Sequence, residues 1–225
     1  MTGLKTWPLA ERPREKLFEK GVAALSDAEV LAVLFGSGMG GAGALCIARN
    51  LLDEFGSLRE VVCAKKARLC DIKGVGDMRY AQIAAVSEIS RRVLETPLKS
   101  RSVFNHVSDV EAFLLASLRH EYKEHFAIMC LNSQHHLIAF RTLFTGTLNA
   151  AAVYPREIVK QVIDDNAAAV ILVHNHPSGV SDPSDADIRL TRDVKHALNL
   201  IDVSVLDHFI VGDNSVFSLA QKGLM

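Results

Sequence analysis

The run Ala167-Ala168-Ala169-Val170-Ile171-Leu172-Val173, followed at once by His174-Asn175-His176, constrains this chain more than any other stretch. A short apolar run rich in β-branched residues reads as a buried strand. That strand delivers both histidines at its exit. Residues two apart in an extended chain project to the same side, so His174 and His176 can share one ion while Asn175 points away. Next, Pro177-Ser178-Gly179 turns the chain, and Pro183-Ser184 opens an amphipathic helix with apolar positions at Ile188, Leu190, Val194, Ala197, Leu198 and Leu200.

Ser184 is the expected N-cap of this helix. Asp187 falls in its first turn, where the helix dipole favours a carboxylate that can point back toward the strand end. Two histidines and one aspartate make a three-ligand set of nitrogen and oxygen donors, as in zinc sites that leave the fourth position to water and lower its pKa to about 7. Singly, Ser184 and Asp187 read as a capping box and the histidines as polar groups at a strand end. Their combination at this spacing points to one Zn2+ ion held by His174, His176 and Asp187. Asp182 and Asp185 are nearby carboxylates that do not stand three residues after the capping serine. The letters H-N-H also spell a nuclease signature, which draws its residues from separated positions of a ββα unit, so the triplet here is a coincidence.

H-x-H-P, seven residues from the second histidine to the serine, then S-x-x-D, resembles the JAMM motif of the MPN (JAB1-like) metalloproteases. Tyr154-Pro155-Arg156-Glu157-Ile158, His174 through Gly179 and Leu206-Asp207-His208-Phe209-Ile210-Val211-Gly212 are similar to the RadC branch, the UPF0758 family. Glu11 through Leu17 and Leu25-Ser26-Asp27-Ala28-Glu29 match it as well. The resemblance implies an α/β domain of MPN/JAMM type, a cytidine-deaminase-like mixed sheet flanked by helices, preceded by a small all-α domain. It also implies a zinc-dependent hydrolase that cleaves a peptide or isopeptide bond of a protein substrate through zinc-activated water.

In that family a glutamate at the head of the first strand serves as general base. Glu124, opening Glu124-His125-Phe126-Ala127-Ile128-Met129-Cys130-Leu131, is the candidate, and Glu157 is its rival in the Pro-Arg-Glu run. By the same resemblance Ser184 donates a hydrogen bond to the tetrahedral oxyanion. Asn175 stands where many isopeptidases carry serine or threonine, which leaves the substrate preference open. His208 with Asp207 reads equally as a second shell orienting a ligand or as a paired core histidine. The RadC branch carries a DNA-repair label. The alternative function is therefore a DNA-associated repair or binding protein whose zinc site is structural or acts on nucleic acid.

With 225 residues, 49% hydrophobic and 23% charged, the chain suits two globular parts. Nothing resembles a signal peptide and no apolar run approaches the ~18 residues of a membrane span, so a cytoplasmic protein is expected. Cys46, Cys63, Cys70 and Cys130 lack C-x-x-C pairing and should be mostly buried small hydrophobes. Residues 97–102 read as a polar linker after a helix ending at Pro97, separating an all-helical domain 1–96 from an MPN domain 103–225. Residues 1–96 carry 14 Lys/Arg against 12 Asp/Glu and residues 97–225 carry 11 against 14, so neither half is a basic nucleic-acid surface by bulk charge.

In the first part, Ser26-Asp27 caps a helix over 28–35, and further helices are expected over 44–55 and 58–64. The glycine-rich 36–43 reads as a connector, since no G-K-[ST] follows. Residues 69–92 resemble a helix-hairpin-helix, in which Lys73, Gly74, Gly76 and Arg79 would contact DNA phosphate without sequence preference. Asp77 and Tyr80 depart from the usual hairpin pattern; the alternative role is packing the N-terminal helices or holding a protein partner. In the second part, helices are expected over 109–119 and 155–164, and strands over 125–131, 137–145, 203–211 and 216–218 beside the histidine-bearing strand.

Overall fold

The structure, a computed structural model, describes residues 8–36, 43–103, 106–146 and 153–225. Most of the glycine-rich stretch 36–43 lies outside the described residues. Packing divides the chain into a unit ending at Ile89 and one beginning at Ser90.

The first unit is helical: α1 (Pro13–Lys20), α2 (Asp27–Phe35), α3 (Ala44–Phe55), α4 (Leu58–Cys63), α5 (Lys66–Cys70) and the start of α6 (Asp77–Ser100). The expected cap of α2 is formed reciprocally, with Ser26 Oγ accepting from the Glu29 amide and the Glu29 carboxylate accepting from the Ser26 amide. Leu31, Phe35, Ile47, Leu51, Val61, Leu69 and Ile83 close the core. The helix over Asp77–Ser100 contains Pro97, so residues 97–100 extend it. The expected linker over 97–102 is thus helical up to Ser100. A proline lacks only its own donor and excludes the preceding turn's carbonyl, which is tolerable this close to a helix end.

The second unit holds the α6 remainder, α7 (Val107–Leu118), β1 (His125–Leu131), β2 (Leu137–Thr145), α8 (Pro155–Asp164), β3 (Ala169–Asn175), α9 (Asp185–Asn199), β4 (Ser204–Val211) and β5 (Val216–Ser218). One mixed sheet runs β2-β1-β3-β4-β5, with β3 and β4 parallel and every other pair antiparallel. The period of two sends Ala127, Met129, Leu131, Ile171 and Val173 to one face, against Val110, Phe113 and Leu114 of α7. Phe126, Ile128, Cys130, Val170 and Leu172 go to the other, against Ile158 and Val162 of α8 and Val194 and Leu198 of α9.

Burial on both faces explains why β3 is apolar from Ala169 to Val173. Because β3 and β4 are parallel, α9 must carry the chain back along the sheet, so its N-terminus begins near the end where β3 stops. On α9 the buried positions are Thr191, Val194 and Leu198. Leu200 lies past the helix end and is exposed, contrary to expectation. Of the cysteines only Cys130 is buried, and Cys46 is exposed. No described helix is long and apolar enough to cross a membrane.

The edge strand β2 is tied to the end of α8 by Arg141, whose Nε and Nη2 donate to Asp165 Oδ2 and Oδ1 at 3.2 and 2.8 Å. Arg141, helped by Gln161, holds the Asp165 carboxyl below its ordinary value. A depressed carboxyl contributes stability above its unfolded pKa and loses it as pH falls through the folded one. Arg141→Ala is expected to cost on the order of 1 kcal/mol at neutral pH, since half the guanidinium is solvent-screened. Denaturant unfolding of wild type and variant should converge as the pH is lowered below the ordinary aspartate range.

Candidate metal centre

Strand β3 carries His174 and Asn175 within its register, paired to Ile210 and Val211 of β4, and the His176 amide donates to the Val211 carbonyl at 2.9 Å. The chain then turns at Gly179, whose φ of +83° suits glycine, and Gly179 and Ser181 lie directly on Gly212. A Cβ on Gly212 would stand 2.5 Å from the Gly179 carbonyl oxygen. Only a residue without a side chain lets the ligand loop settle there, which accounts for the glycine closing the 206–212 motif.

At the start of α9, Ser184 caps as expected: its Oγ accepts from the Asp187 amide at 3.2 Å, and Asp187 Oδ2 accepts from the Ser184 amide at 2.7 Å and hydroxyl at 2.6 Å. The cap and ligand readings of Asp187 are therefore compatible. Oδ2 serves the cap, while Oδ1 faces His174 Nε2 at 3.3 Å. His174 Nε2 and His176 Nε2 are 2.9 Å apart. Ligand atoms of His174, His176 and Asp187 all lie within 4.8 Å of one another, and this is the one such group among the described residues.

Hydrogen bonding behind the rings decides which nitrogens are bare. His176 Nδ1 is 2.8 Å from the Val180 carbonyl, so it carries a proton and leaves Nε2 as a lone pair in the neutral ring. His174 Nδ1 is 2.8 Å from His208 Nε2. His174 is 1% exposed, and burial, reinforced by His176 and opposed by Asp187, brings its pKa down to about 4. At 2.9 Å the two Nε2 atoms are held either by a shared proton or, with both rings neutral, by one cation that takes both lone pairs. A metal ion beside the carboxylate oxygen fits the second case, and a donor set of imidazole and carboxylate without thiolate suits zinc.

Glu124 precedes β1 at this same end of the sheet and is partly buried. Burial raises its pKa, with the Asp187 charge adding and His176 opposing, so it shares the electrostatics of the ligand set. Glu157 instead sits in the first turn of α8, with Arg156 at 3.4 Å and Lys160 at 3.4 Å. Asn175 does point away from the ligands, yet it is 2% exposed and fully engaged. Its Oδ1 accepts from the His125 amide at 2.8 Å, and its Nδ2 donates to the carbonyls of Lys123 and Glu121 at 3.1 and 3.2 Å. With the Gly146 amide on the Glu124 carbonyl at 2.8 Å, these bonds fix the backbone on both sides of Glu124.

Asp207 does not orient His208. Its carboxylate accepts from Ser218 Oγ and from the amides of His208 and Ala220, and the group that meets His208 Nδ1 is Thr191 Oγ1, at 2.6 Å. Thr191 and the tie made by Asn175 escaped the sequence reading, because neither residue stands in ligand spacing. Thr191 left one trace, a polar residue on the apolar stripe of α9.

In the hairpin between α5 and α6, Arg79 is turned inward. It donates to the Gly74 carbonyl and stacks over Phe35, which removes it from the expected phosphate-facing set with Lys73, Gly74 and Gly76. Asp77 pairs with Lys66 at 2.9 Å, and Tyr80 packs on the helical core. Gly74, at φ +94°, has Ile47 2.7 Å from where a Cβ would be, so this glycine serves internal packing.

The mixed sheet, with His174, His176 and Asp187 brought together between β3 and α9, is the arrangement of a JAB-type domain. Residues 104–224 match the RadC-like JAB domain and residues 4–81 the UPF0758 N-terminal domain. UPF0758 proteins of Alteromonas mediterranea, Idiomarina loihiensis and a Marinomonas species are 55%, 50% and 49% identical, each over 222 residues and 99% of both chains. The chain belongs to the RadC-like JAB family, UPF0758.

Asn175→Ala leaves two carbonyls and one amide without their partner, and is expected to cost on the order of 2–4 kcal/mol in denaturant unfolding. Gly212→Ala is expected to weaken zinc binding severalfold by displacing the loop that carries His176, as read by competition with a chromophoric chelator.

Proposed function

We propose that this chain is a zinc-dependent hydrolase of JAMM type that cleaves a peptide or isopeptide bond in a protein substrate. The observation that carries the reading is the meeting of two histidine Nε2 atoms, 2.9 Å apart, with the Asp187 carboxylate beside a partly buried glutamate. Zinc bound by His174, His176 and Asp187 would supply a polarised carbonyl and a water acidified to a pKa of about 7. Glu124 is the general base: it takes a proton from the attacking water and returns it to the amine nitrogen as the carbon–nitrogen bond breaks.

The rise of the Glu124 pKa through burial makes it a stronger proton acceptor than a solvated glutamate. Asn175 holds the segment that presents it. Ser184 is the donor to the substrate oxyanion, although its one hydroxyl proton is directed at Asp187 Oδ2 in the resting arrangement, so the hydroxyl must rotate when substrate binds. Glu157 is a surface residue in this account. DNA contact through the hairpin has less support, given the inward Arg79 and the Lys66–Asp77 pair.

Metal analysis of purified protein is expected to find one zinc per chain in the wild type and in Glu124→Gln, and a large loss in His174→Ala. On a panel of protein, isopeptide-linked and DNA substrates, wild type should cleave protein and Glu124→Gln should retain less than about 1% of that rate, in line with general-base contributions of 10²–10⁴. A wild type that binds no zinc, or Glu157→Gln and not Glu124→Gln abolishing cleavage, overturns this assignment.

A further inference from the structure

The buried chain His174–His208–Thr191–Asp187 joins two of the three metal ligands behind the site. His174 Nδ1 meets His208 Nε2 at 2.8 Å, His208 Nδ1 meets Thr191 Oγ1 at 2.6 Å, and Thr191 Oγ1 meets the Asp187 backbone carbonyl at 2.6 Å. His208 and Thr191 are fully buried and His174 is nearly so. Among the described residues no carboxylate bonds the His208 ring, since Asp207 is directed to Ser218 and to backbone amides.

With both rings neutral, only one placement of protons satisfies every link. The Asp187 carbonyl is solely an acceptor, so the single Thr191 hydroxyl proton must lie toward it. Thr191 Oγ1 then accepts, and His208 Nδ1 carries the donated proton. With that proton on Nδ1, the neutral His208 ring has a bare Nε2, which accepts from His174 Nδ1–H. His174 Nε2 is left without a proton, facing Asp187 Oδ1 and His176 Nε2. Phe126 walls the relay, with its ring 6.3 Å from that of His174 and nearly parallel, and 5.8 Å from that of His208 and steeply inclined.

We infer that His208 and Thr191 are positioning residues that lock His174 into the Nδ1–H tautomer, and that this relay sets the affinity of the site for its metal ion. The register of the fold makes it available: His208 of β4 is paired with Leu172, which shares a sheet face with His174. Thr191 follows Asp187 by one helical turn, so its hydroxyl reaches the carbonyl four residues back. The relay thereby braces the β3 ligand against the α9 ligand. It rests on the zinc reading given above and adds to it the groups that prepare the nitrogen.

The test is zinc affinity of the full-length protein, measured by competition with a chromophoric chelator, beside the imidazole nitrogen spectrum of histidine-labelled protein, which distinguishes Nδ1–H from Nε2–H rings. Thr191→Val keeps the shape and removes the hydroxyl; Thr191→Ser keeps the hydroxyl. His208→Phe removes the acceptor, and His208→Gln offers an amide oxygen in its place. Thr191→Val and His208→Phe should bind zinc roughly 10- to 100-fold more weakly, with His174 shifting out of its Nδ1–H form. Thr191→Ser and His208→Gln should recover most of the affinity.

If the wild type binds zinc through His174 while folded Thr191→Val binds as tightly and keeps the same His174 tautomer, the relay is overturned and the zinc site stands. Should wild type bind no zinc at all, both fall. Where His208→Phe fails to fold, the Thr191→Val and Thr191→Ser pair decides alone.

Discussion

Two imidazole Nε2 atoms 2.9 Å apart must share something positive, a proton or a metal ion. Everything around the centre of this chain serves to create that condition. Parallel pairing of β3 and β4 brings the N-terminus of α9 to the strand exit, so a capping carboxylate meets the histidines. The Val180 carbonyl behind His176 and the His208–Thr191 relay behind His174 put the ring protons on the far nitrogens. Gly212 lets the intervening loop lie flat against the end of β4. Removal of any one of these would leave the same three ligand types in sequence without the same lone pairs in space.

Division of labour within single residues follows from this compactness. Asp187 uses one carboxylate oxygen to terminate a helix and turns the other to the histidines. Asn175 points away from the ligands and uses both amide protons and its carbonyl oxygen to hold the segment that carries Glu124. The one-residue spacing of the histidines therefore places its middle residue between two tasks. Three partly buried hydrogen bonds join the strand of His174 to the segment of the proposed base.

Much of this was legible in the sequence because the features that carry it are local. Strands 125–131, 137–145 and 216–218 and the helix over 155–164 could be read from hydrophobic period and proline placement, and they stand at those bounds. The meeting of His174, His176 and Asp187 and the cap at Ser184 follow from spacing along one strand and the next helical turn. What escaped depends on register between distant strands. Thr191 looks like a weak spot on an apolar stripe until β4 brings His208 against it. Asp207 looks like the natural partner of its neighbour, yet adjacent strand residues face opposite sides of the sheet, so it serves the β5 side instead. In the N-terminal unit, Arg79 reads as a phosphate ligand by position, whereas a carbonyl and an aromatic ring inside its own fold claim the guanidinium.

The most direct test of the account is a crystal structure of the zinc-loaded chain, with diffraction collected on both sides of the zinc absorption edge. The account predicts one anomalous peak per chain, about 2.0–2.2 Å from His174 Nε2, His176 Nε2 and an Asp187 carboxylate oxygen, with no sulfur ligand. No peak there, or a peak held by other residues while His174 and His176 still face each other bare, would contradict it.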